Sequence, residues 1–155
     1  MRRKDKEITS IAEIEEIIAA AVVCRLAMVD GDRPYIVPLC FGYENHTLYF
    51  HTGLKGKKVA VLKRNPNICF EFDEDCRVLE QPDACSWGMA YRSVIGYGKA
   101  CFITTPAQKR KALDVIMRHY GGSADPYPAG KIDATCVIRV EIRQMTGKHS
   151  PVPNS

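Results

Sequence analysis

Apolar residues recur at helical spacing near the start of the chain. The apolar positions of this segment are Ile11, Ile14, Ile17, Ile18 and Val22. They fall on one face of a helix with 3.6 residues per turn. Ser10, three positions before Glu13, forms a capping box that would begin this helix. The first predicted element is therefore an amphipathic helix.

Three β-prone runs follow this helix. They cover residues 23–29, 34–43 and 47–52, and polar turn residues at 30–32 and 44–46 separate them. These turns are too short for the crossover helices that parallel strands require. The pattern predicts a meander of antiparallel strands.

In the middle of the chain, the spacing of apolar residues changes more than once. Residues 57–64 can form about two helical turns, because the position before Pro66 is pushed out of the helical conformation. Residues 68–73 then alternate as in a half-buried strand. Residues 75–90 show no clear period and predict a long connection or an irregular strand.

Two further strands are predicted in the second half. Residues 92–102 form a long strand candidate in which Gly96 and Gly98 indicate a bulge, a bend or a close backbone approach. Residues 136–143 alternate cleanly, which places Val137 and every second residue after it on the outer face.

A third helix is predicted between these strands. It begins at Thr105 with proline at the first helical position, and Gly121 stops it. The order of elements favours a mainly β protein, an antiparallel barrel with peripheral helices. We expect one domain over residues 1–147 and a flexible tail over residues 148–155.

Composition and charge narrow the function. The 155 residues are 46% hydrophobic and 26% charged, which is typical of a globular protein. A net charge of +4 suits anionic ligands without requiring nucleic acid. Because no apolar stretch approaches about 18 residues, no membrane span is predicted. A cytoplasmic location is the expectation.

The seven cysteines form an odd set without a CxxC pair. This pattern supports neither a metal site nor a disulfide framework. Most of them lie in apolar strand patterns, where a free cysteine acts as a small hydrophobe, and reactive thiols are the alternative.

The first candidate site is the apolar run at residues 35–41. Pro38 cannot donate to a sheet ladder, so this strand is expected at an edge or at a local break. Unpaired backbone groups of Val37 and Leu39, next to Cys40, would then be available to the polar edge of a planar ligand. An ordinary bulge is the alternative. The continuous apolar character also predicts burial on both faces.

The second candidate is the loop at residues 51–58. His51, Thr52, two glycines and the lysines Lys57 and Lys58 precede a helix, where amide groups and ammonium groups both favour a phosphate. The spacing is not that of a P-loop. A solvated basic turn and a structural histidine are the alternatives. His119 is expected at the surface.

The third candidate is the segment at residues 87–98. Trp87 and Tyr91 offer aromatic faces to a ring, and Arg92 with Ser93 offers hydrogen-bond donors to a phosphate or carbonyl. These residues are equally typical of a protein interface.

Several motifs, spread in order over nearly the whole chain, resemble the nitroimidazole-resistance (Nim) proteins of the pyridoxamine 5'-phosphate oxidase-like split-barrel group. The matching segments are residues 1–5, 24–27, 34–39, 48–51, 56–58, 64–66, 85–87, 91–96 and 145–148. A C-terminal segment of true pyridoxamine phosphate oxidases, with its arginine and histidine, is not found. Oxidation of vitamin B6 is therefore disfavoured.

The resemblance implies a homodimer with two flavin mononucleotide (FMN) sites at the subunit interface. The segment Val37, Pro38, Leu39 and Cys40 would meet the isoalloxazine ring. The residues His51, Thr52, Lys57 and Lys58 would approach the ribityl phosphate or flank the ring. The residues Trp87, Tyr91, Arg92 and Ser93 would complete the pocket, some of them from the neighbouring subunit.

The same resemblance implies a flavin-dependent reductase that reduces nitroaromatic compounds such as 5-nitroimidazoles in two-electron steps, taking electrons from a reduced donor. His51 is the candidate proton donor, because an imidazole can take up and release a proton near neutral pH. A flavin- or haem-binding protein without turnover is the alternative function. FAD or a deazaflavin is the alternative cofactor.

Overall fold

A computed structural model describes residues 3–123 and 126–150 of the chain. Eight strands and four helices make up the described fold, with short 3₁₀ turns at Lys4–Lys6 and Ala84–Ser86. The strands are β1 (Glu7–Ile8), β2 (Cys24–Asp30), β3 (Arg33–Leu39), β4 (Gly42–Glu44), β5 (Thr47–Gly53), β6 (Asn67–Leu79), β7 (Gly88–Ile103) and β8 (Thr135–Ser150). The helices are α1 (Ile11–Ala20), α2 (Lys57–Arg64), α3 (Pro106–His119) and α4 (Ala129–Asp133).

All strands belong to one antiparallel sheet with the order β3-β2-β6-β7-β8-β5-β4, and β1 pairs with the end of β8. The mainly β fold with peripheral helices is thus confirmed. The predicted three-strand meander is wrong, because β5 pairs with β8 and not with β3. The strands β2 and β3 form one hairpin, and β4 and β5 form another at the opposite end of the sheet.

The link between the two hairpins explains how this open sheet resembles a barrel. Only Cys40 and Phe41 connect β3 to β4, the two edge strands. Three steps of about 3.8 Å between consecutive Cα atoms span at most about 11 Å. The two edges must therefore approach each other at this end without pairing. The sheet is curled and split rather than closed.

Local signals account for the turns. The Ser10 hydroxyl accepts a hydrogen bond from the Glu13 amide at 3.4 Å, as the capping box predicts. Asn45 and His46 both have positive φ, 49° and 57°, between β4 and β5. Two positive φ angles in a two-residue turn match the twist of an antiparallel hairpin.

The strands β6 and β7 extend much further than predicted. Together they form an exposed hairpin arm over residues 75–89, with a register shift between Glu74 and Arg77. Because every residue from Asp75 to Val78 and from Glu80 to Met89 is exposed, the arm has no buried face to impose a period of two. This explains why residues 75–90 carry no readable strand pattern.

The glycines of β7 have the roles that their position in a strand suggests. A Cβ atom at Gly96 would lie 2.1 Å from Cζ of Phe70. The pairing of β7 with β8 shifts register between Tyr97 and Gly98. One glycine allows a close approach, and the other accompanies a bulge.

The core lies on the concave side of the sheet. Its largest fully buried members include Phe41, Phe50, Phe70, Phe72, Ile17, Ile18, Leu26 and Leu48. On the outer side, α3 packs on β4, β5 and β8, while α4 packs on β8. Val137, predicted to face outward into solvent, is fully buried because these two helices cover its face of β8.

The last strand continues past the predicted start of the tail. Lys148 pairs with Glu7 on one side and with Ser93 on the other, and β8 ends at Ser150. Lys148 has a strand on each side, and His149 and Ser150 pair with β7, so residues 148–150 are not a free tail. Residues 151–155 lie outside the described residues.

Candidate functional site

Strand β3 is an edge strand, as Pro38 predicts. Pro38 lies opposite Arg25 of β2, and no described strand pairs with the other side of β3. Val37 and Leu39 pack against the core, whereas Pro38 and Cys40 are exposed. Alternate amide and carbonyl groups on the outer side of an edge strand remain available to a ligand.

The sequence predicts that both faces of β3 are buried, but its outer face is exposed. Ile36 is 60% exposed in the single chain. The apolar character of this run therefore reflects a face that the chain itself does not cover.

The strand β5 separates two of the predicted site residues. Thr52 lies opposite Cys136 and His51 lies opposite Val137, so their side chains project to opposite faces of β5. Thr52 is half-buried and His51 is exposed. In one chain the two side chains serve different surfaces.

Helix α2 begins with an uncapped N-terminus. Gly56 precedes the helix with φ of +136°, a conformation that favours glycine, and no side chain caps the first amides. Free amides and the helix dipole at such an end attract an anion.

Lys57 links the start of α2 to the β2–β3 hairpin. Its ammonium lies 3.2 Å from the Asp30 carboxylate and 4.7 Å from the centre of the Tyr35 ring. The hydrogen bond from Lys57 holds the pKa of Asp30 below its ordinary value, with help from Arg64. Part of the positive charge at this site is therefore already balanced.

Lys58 has no such carboxylate among the residues that the structure describes. It is half-buried, and burial lowers the pKa of its ammonium, while the nearby Cys136 thiol acts in the opposite direction. No ion pair between described residues includes Lys58. A partly desolvated ammonium beside uncapped amides fits the phosphate of a nucleotide cofactor.

His51 lies in the wall of a separate cavity of about 230 Å³ between β5, α3 and α4. The other lining residues are Leu113, Ile116, Met117, Tyr127, Lys131, Ile132 and Thr135. Most of this lining is apolar. In the sequence, this lining is visible only as the apolar stripe of α3. Periodicity alone assigns such a stripe to the protein core.

The third candidate is divided along the hairpin arm: Trp87 lies in the loop at its tip, and Tyr91, Arg92 and Ser93 lie at its base. Trp87 is 52% exposed, and its Nε1 donates to the Gln81 carbonyl at 2.8 Å. The Lys148 ammonium lies 5.3 Å from the centre of the Tyr91 ring. Tyr91 also lines a cavity of about 200 Å³.

Arg92 is already engaged within the chain. Its guanidinium lies 2.8 Å from the Glu74 carboxylate and 3.4 Å from that of Asp75. These contacts fix the base of the arm across the bulge of β6. They leave Arg92 less free to bind a phosphate than the sequence suggests.

One chain does not bring the two groups of predicted residues together. Thr52 lies opposite Cys136, and Ser93 lies opposite Lys148, twelve residues further along β8. At about 3.3 Å per residue this is about 40 Å along the strand. The two groups of predicted residues are therefore widely separated along the strand.

His119, predicted at the surface, is partly buried. Its Nε2 lies 2.8 Å from the Ala21 carbonyl, and its ring centre lies 4.1 Å from that of Phe41. The neighbouring Tyr120 hydroxyl donates to the Val22 carbonyl at 2.8 Å and accepts from the Phe41 amide at 3.1 Å. These contacts fasten the end of α3 to the link between the hairpins, which the sequence does not reveal.

The cysteines form no cluster with other potential metal ligands among the described residues. All seven cysteines are free, and Cys24 is fully buried. No group of three potential metal ligands occurs in the described part of the chain. A cavity of about 440 Å³ beside α3 has Thr104, Lys111 and Arg139 in its wall and contains none of the predicted site residues.

No helix within residues 3–123 and 126–150 is long and apolar enough to cross a membrane.

The curled antiparallel sheet, its two edge strands and the basic start of α2 define a split-barrel protein. The family model for pyridoxamine 5'-phosphate oxidase matches residues 10–149, and the chain belongs to this family.

Solved structures agree with this assignment. A candidate 5-nitroimidazole antibiotic resistance protein of Bacteroides thetaiotaomicron VPI-5482 is 40% identical, with 92% of this chain and 86% of that chain covered and a TM-score of 0.84. The predicted resemblance to nitroimidazole-resistance proteins is therefore confirmed. An FAD-binding protein of Mesorhizobium loti is 25% identical over 92% of this chain and 96% of that chain, with a TM-score of 0.67.

Other similar proteins either have a lower sequence identity or match a smaller part of this chain. An FAD- and haem-binding protein of Mycobacterium smegmatis shares the fold at a TM-score of 0.87 with 18% identity, covering 97% of this chain and 76% of that chain. An uncharacterised protein of Rhizobium meliloti strain 1021 is 30% identical over 67 residues, which are 43% of this chain and 44% of that protein.

Proposed function

We propose that the protein is a cytoplasmic, FMN-dependent reductase that acts as a homodimer and reduces nitroaromatic compounds. The observation that carries the cofactor half of the proposal is Lys58, a partly buried ammonium that has no carboxylate partner among residues 3–123 and 126–150, beside the uncapped start of α2. The family and the similarity to a candidate nitroimidazole resistance protein support the activity.

The residues present suit a flavin phosphate. Lys58 and the first amides of α2 supply charge and hydrogen bonds, and Thr52 lies at the neighbouring end of β5. Lys57 would exchange part of its contact with Asp30 for the phosphate. The open edge of β3 beside Pro38, where alternate backbone groups have no strand partner among the described residues, would receive the polar edge of the ring.

A second subunit completes the pocket in this proposal. The residues at the base of the arm lie about 40 Å from Thr52 when the path is followed along β8 at about 3.3 Å per residue, which favours a site shared between two chains. Trp87 and Tyr91 from one subunit would cover the ring bound by the other. Arg92 and Ser93 would sit beside them, with Arg92 held by Glu74.

The proposed reaction converts a nitro group into an amine. When bound, a flavin would supply two-electron transfer from a reduced nicotinamide donor to the substrate. Each pair of electrons requires two protons, and the whole conversion consumes six electrons and six protons and releases two molecules of water. His51 would donate a proton to a substrate oxygen, and its exposed position allows reprotonation from water.

Identification of the cofactor is the decisive first experiment. The purified protein would be denatured and the released cofactor identified by mass spectrometry. FMN is the expected result. FAD or a deazaflavin would change the cofactor but keep the site, and a colourless protein that takes up no added flavin would overturn the proposal.

Catalysis needs its own measurement. The oxidation of a nicotinamide donor would be followed with and without a 5-nitroimidazole, and amine would be measured as product. A flavin that is bleached by the donor but not reoxidised by the nitroimidazole would favour the non-catalytic alternative. A haem Soret band would favour the haem-binding form of that alternative, which the fold shared with an FAD- and haem-binding protein suggests.

A further inference from the structure

We infer that the cavity of about 440 Å³ between α3 and the outer face of β5, β7 and β8 binds a small organic anion, with its charged group held by Arg139 and Lys111. This cavity shares no lining residue with the cavity at His51. It also contains none of the residues proposed to hold the flavin, so the inference goes beyond the proposed function and does not rest on it.

Strand pairing sets the floor of this cavity. Tyr49 of β5 and Cys101 of β7 both lie opposite Arg139 of β8, so the three residues form one row across three neighbouring strands. Side chains that lie opposite one another share a face of the sheet, and their Cβ atoms are about 5 Å apart. An aromatic ring and a guanidinium are therefore neighbours beneath the cavity.

Helix α3 forms the wall beside this row. The helix residues that line the cavity follow one another at spacings of three, four and seven positions from the first, and so share one helix face. They are Gln108, Lys111, Ala112 and Val115. Ala112 and Val115 are buried, whereas Gln108 and Lys111 are exposed. The cavity thus has an apolar inner side and a polar rim, a combination typical of small-molecule sites.

The charges in the lining favour an anion. Lys111 takes part in no ion pair among the residues that the structure describes. Nη2 of Arg139 lies 2.7 Å from the Glu141 carboxylate, but a guanidinium has further donors with which to hold a second anion. The Glu44 carboxylate also lines the cavity, and Arg118 balances its charge at 2.8 Å.

The size and chemistry of the cavity define the class of ligand. Small-molecule sites have volumes of roughly 300–1,000 Å³, and an apolar cavity of about 150 Å³ already accepts benzene. A guanidinium forms two parallel hydrogen bonds with a carboxylate or a phosphate. A single ring that carries one carboxylate or one phosphate ester therefore fits the cavity, with the ring on the apolar side and the anionic group at Arg139 and Lys111.

The test measures ligand binding to the purified, flavin-loaded protein by isothermal titration calorimetry. Benzoate and phenyl phosphate represent the two anionic groups, and benzamide is the matched neutral ligand. Lys111→Gln and Arg139→Gln each remove one positive charge from the lining, and Gln108→Trp fills the cavity without changing its charge. Arg143→Gln is the matched control, because Arg143 is exposed on the same strand as Arg139 and does not line the cavity.

We expect at least one of the two anions to bind, and the tighter of them identifies the anionic group that the site prefers. Benzamide should bind at least about tenfold more weakly than that anion, and each of the three cavity variants should weaken binding of the anion by about tenfold or more. Arg143→Gln should bind normally, and flavin content should be unchanged in all variants.

Three results would overturn the cavity assignment. They are equal binding of benzamide and the anions, equal binding by the cavity variants and the control, and displacement of the flavin by the anion. Because no electron donor or nitro compound is present, none of these results decides whether the protein is a reductase.

Discussion

At the scale of single residues, Lys58 provides the strongest structural argument for a bound flavin phosphate. We expect Lys58→Gln to weaken FMN binding by about 10- to 100-fold, because hydrogen bonds to charged groups contribute about 1.5–3 kcal/mol. Quenching of flavin fluorescence during titration of the flavin-free protein measures this change. Lys63→Gln, an exposed lysine in the last turn of the same helix, removes the same charge and should bind almost normally. Equal losses in both variants would assign the effect to net charge alone.

The same residue predicts a pH dependence. A bound phosphate dianion favours the ammonium form, so affinity should be full near neutral pH and fall as the pH rises through the pKa of Lys58. Burial lowers this pKa in the free protein, and the decline should therefore begin below the ordinary lysine value of 10.5. Titrations at a series of pH values test this, and the Lys58→Gln variant should lack that component of the decline.

At the scale of secondary-structure elements, the close contact of α3 with β4 controls the position of the outer helix. A Cβ atom at Gly42 would lie 2.7 Å from the Ile116 amide nitrogen and 2.8 Å from its Cα. Helix backbone cannot move aside as a side chain does. We expect Gly42→Ala to lower the free energy of unfolding by about 1–3 kcal/mol in urea denaturation.

Gly130→Ala is the matched control for this prediction. A Cβ atom there would meet nothing within 4 Å, and Gly130 lies in α4, where alanine favours the helix. Its stability should be unchanged or slightly higher. Equal destabilisation by both substitutions would show that the backbone contact between Gly42 and Ile116 is not the cause.

At the scale of the whole molecule, an exposed face of the sheet predicts self-association. One row of side chains crosses four strands on the outer face. It consists of Ile36 of β3, Ala27 of β2, Cys69 of β6 and Tyr97 of β7. Ile36 is 60% and Tyr97 is 54% exposed. We expect the double variant Ile36→Lys and Tyr97→Lys to be a monomer by light scattering, whereas the unchanged protein should have twice the 17.4 kDa of one chain.

The control for association is Val22→Lys, at a position that is 70% exposed between α1 and β2. It should remain a dimer and keep its flavin. The double variant should lose flavin together with its partner, because residues of the arm would no longer cover the ring. A flavin-loaded monomer would contradict an interface-built site, and an unchanged protein that is already monomeric would contradict the dimer itself.

Features that depend on a few neighbouring residues follow from the sequence. The capping box of Ser10 and the hairpin turn at Asn45 are set by local hydrogen bonds and backbone angles, and both are found where they are predicted. Pro38 lacks an amide proton, which by itself requires an edge or a break. The matching motifs along the chain indicate the family in the same way, because they need no knowledge of pairing.

Only the tertiary structure decided which of these elements meet. The pairing of β5 with β8 joins residues more than 80 positions apart, and no local preference selects it. The burial of Val137 depends on α3 and α4, and that of His119 depends on Ala21 and Phe41, which are all distant in sequence. His51 and Thr52 are neighbours in sequence, yet the pleat of β5 sends one to the helix-lined cavity and the other towards Cys136. Sequence therefore supplied the residues of the candidate site, and long-range packing divided them between two surfaces.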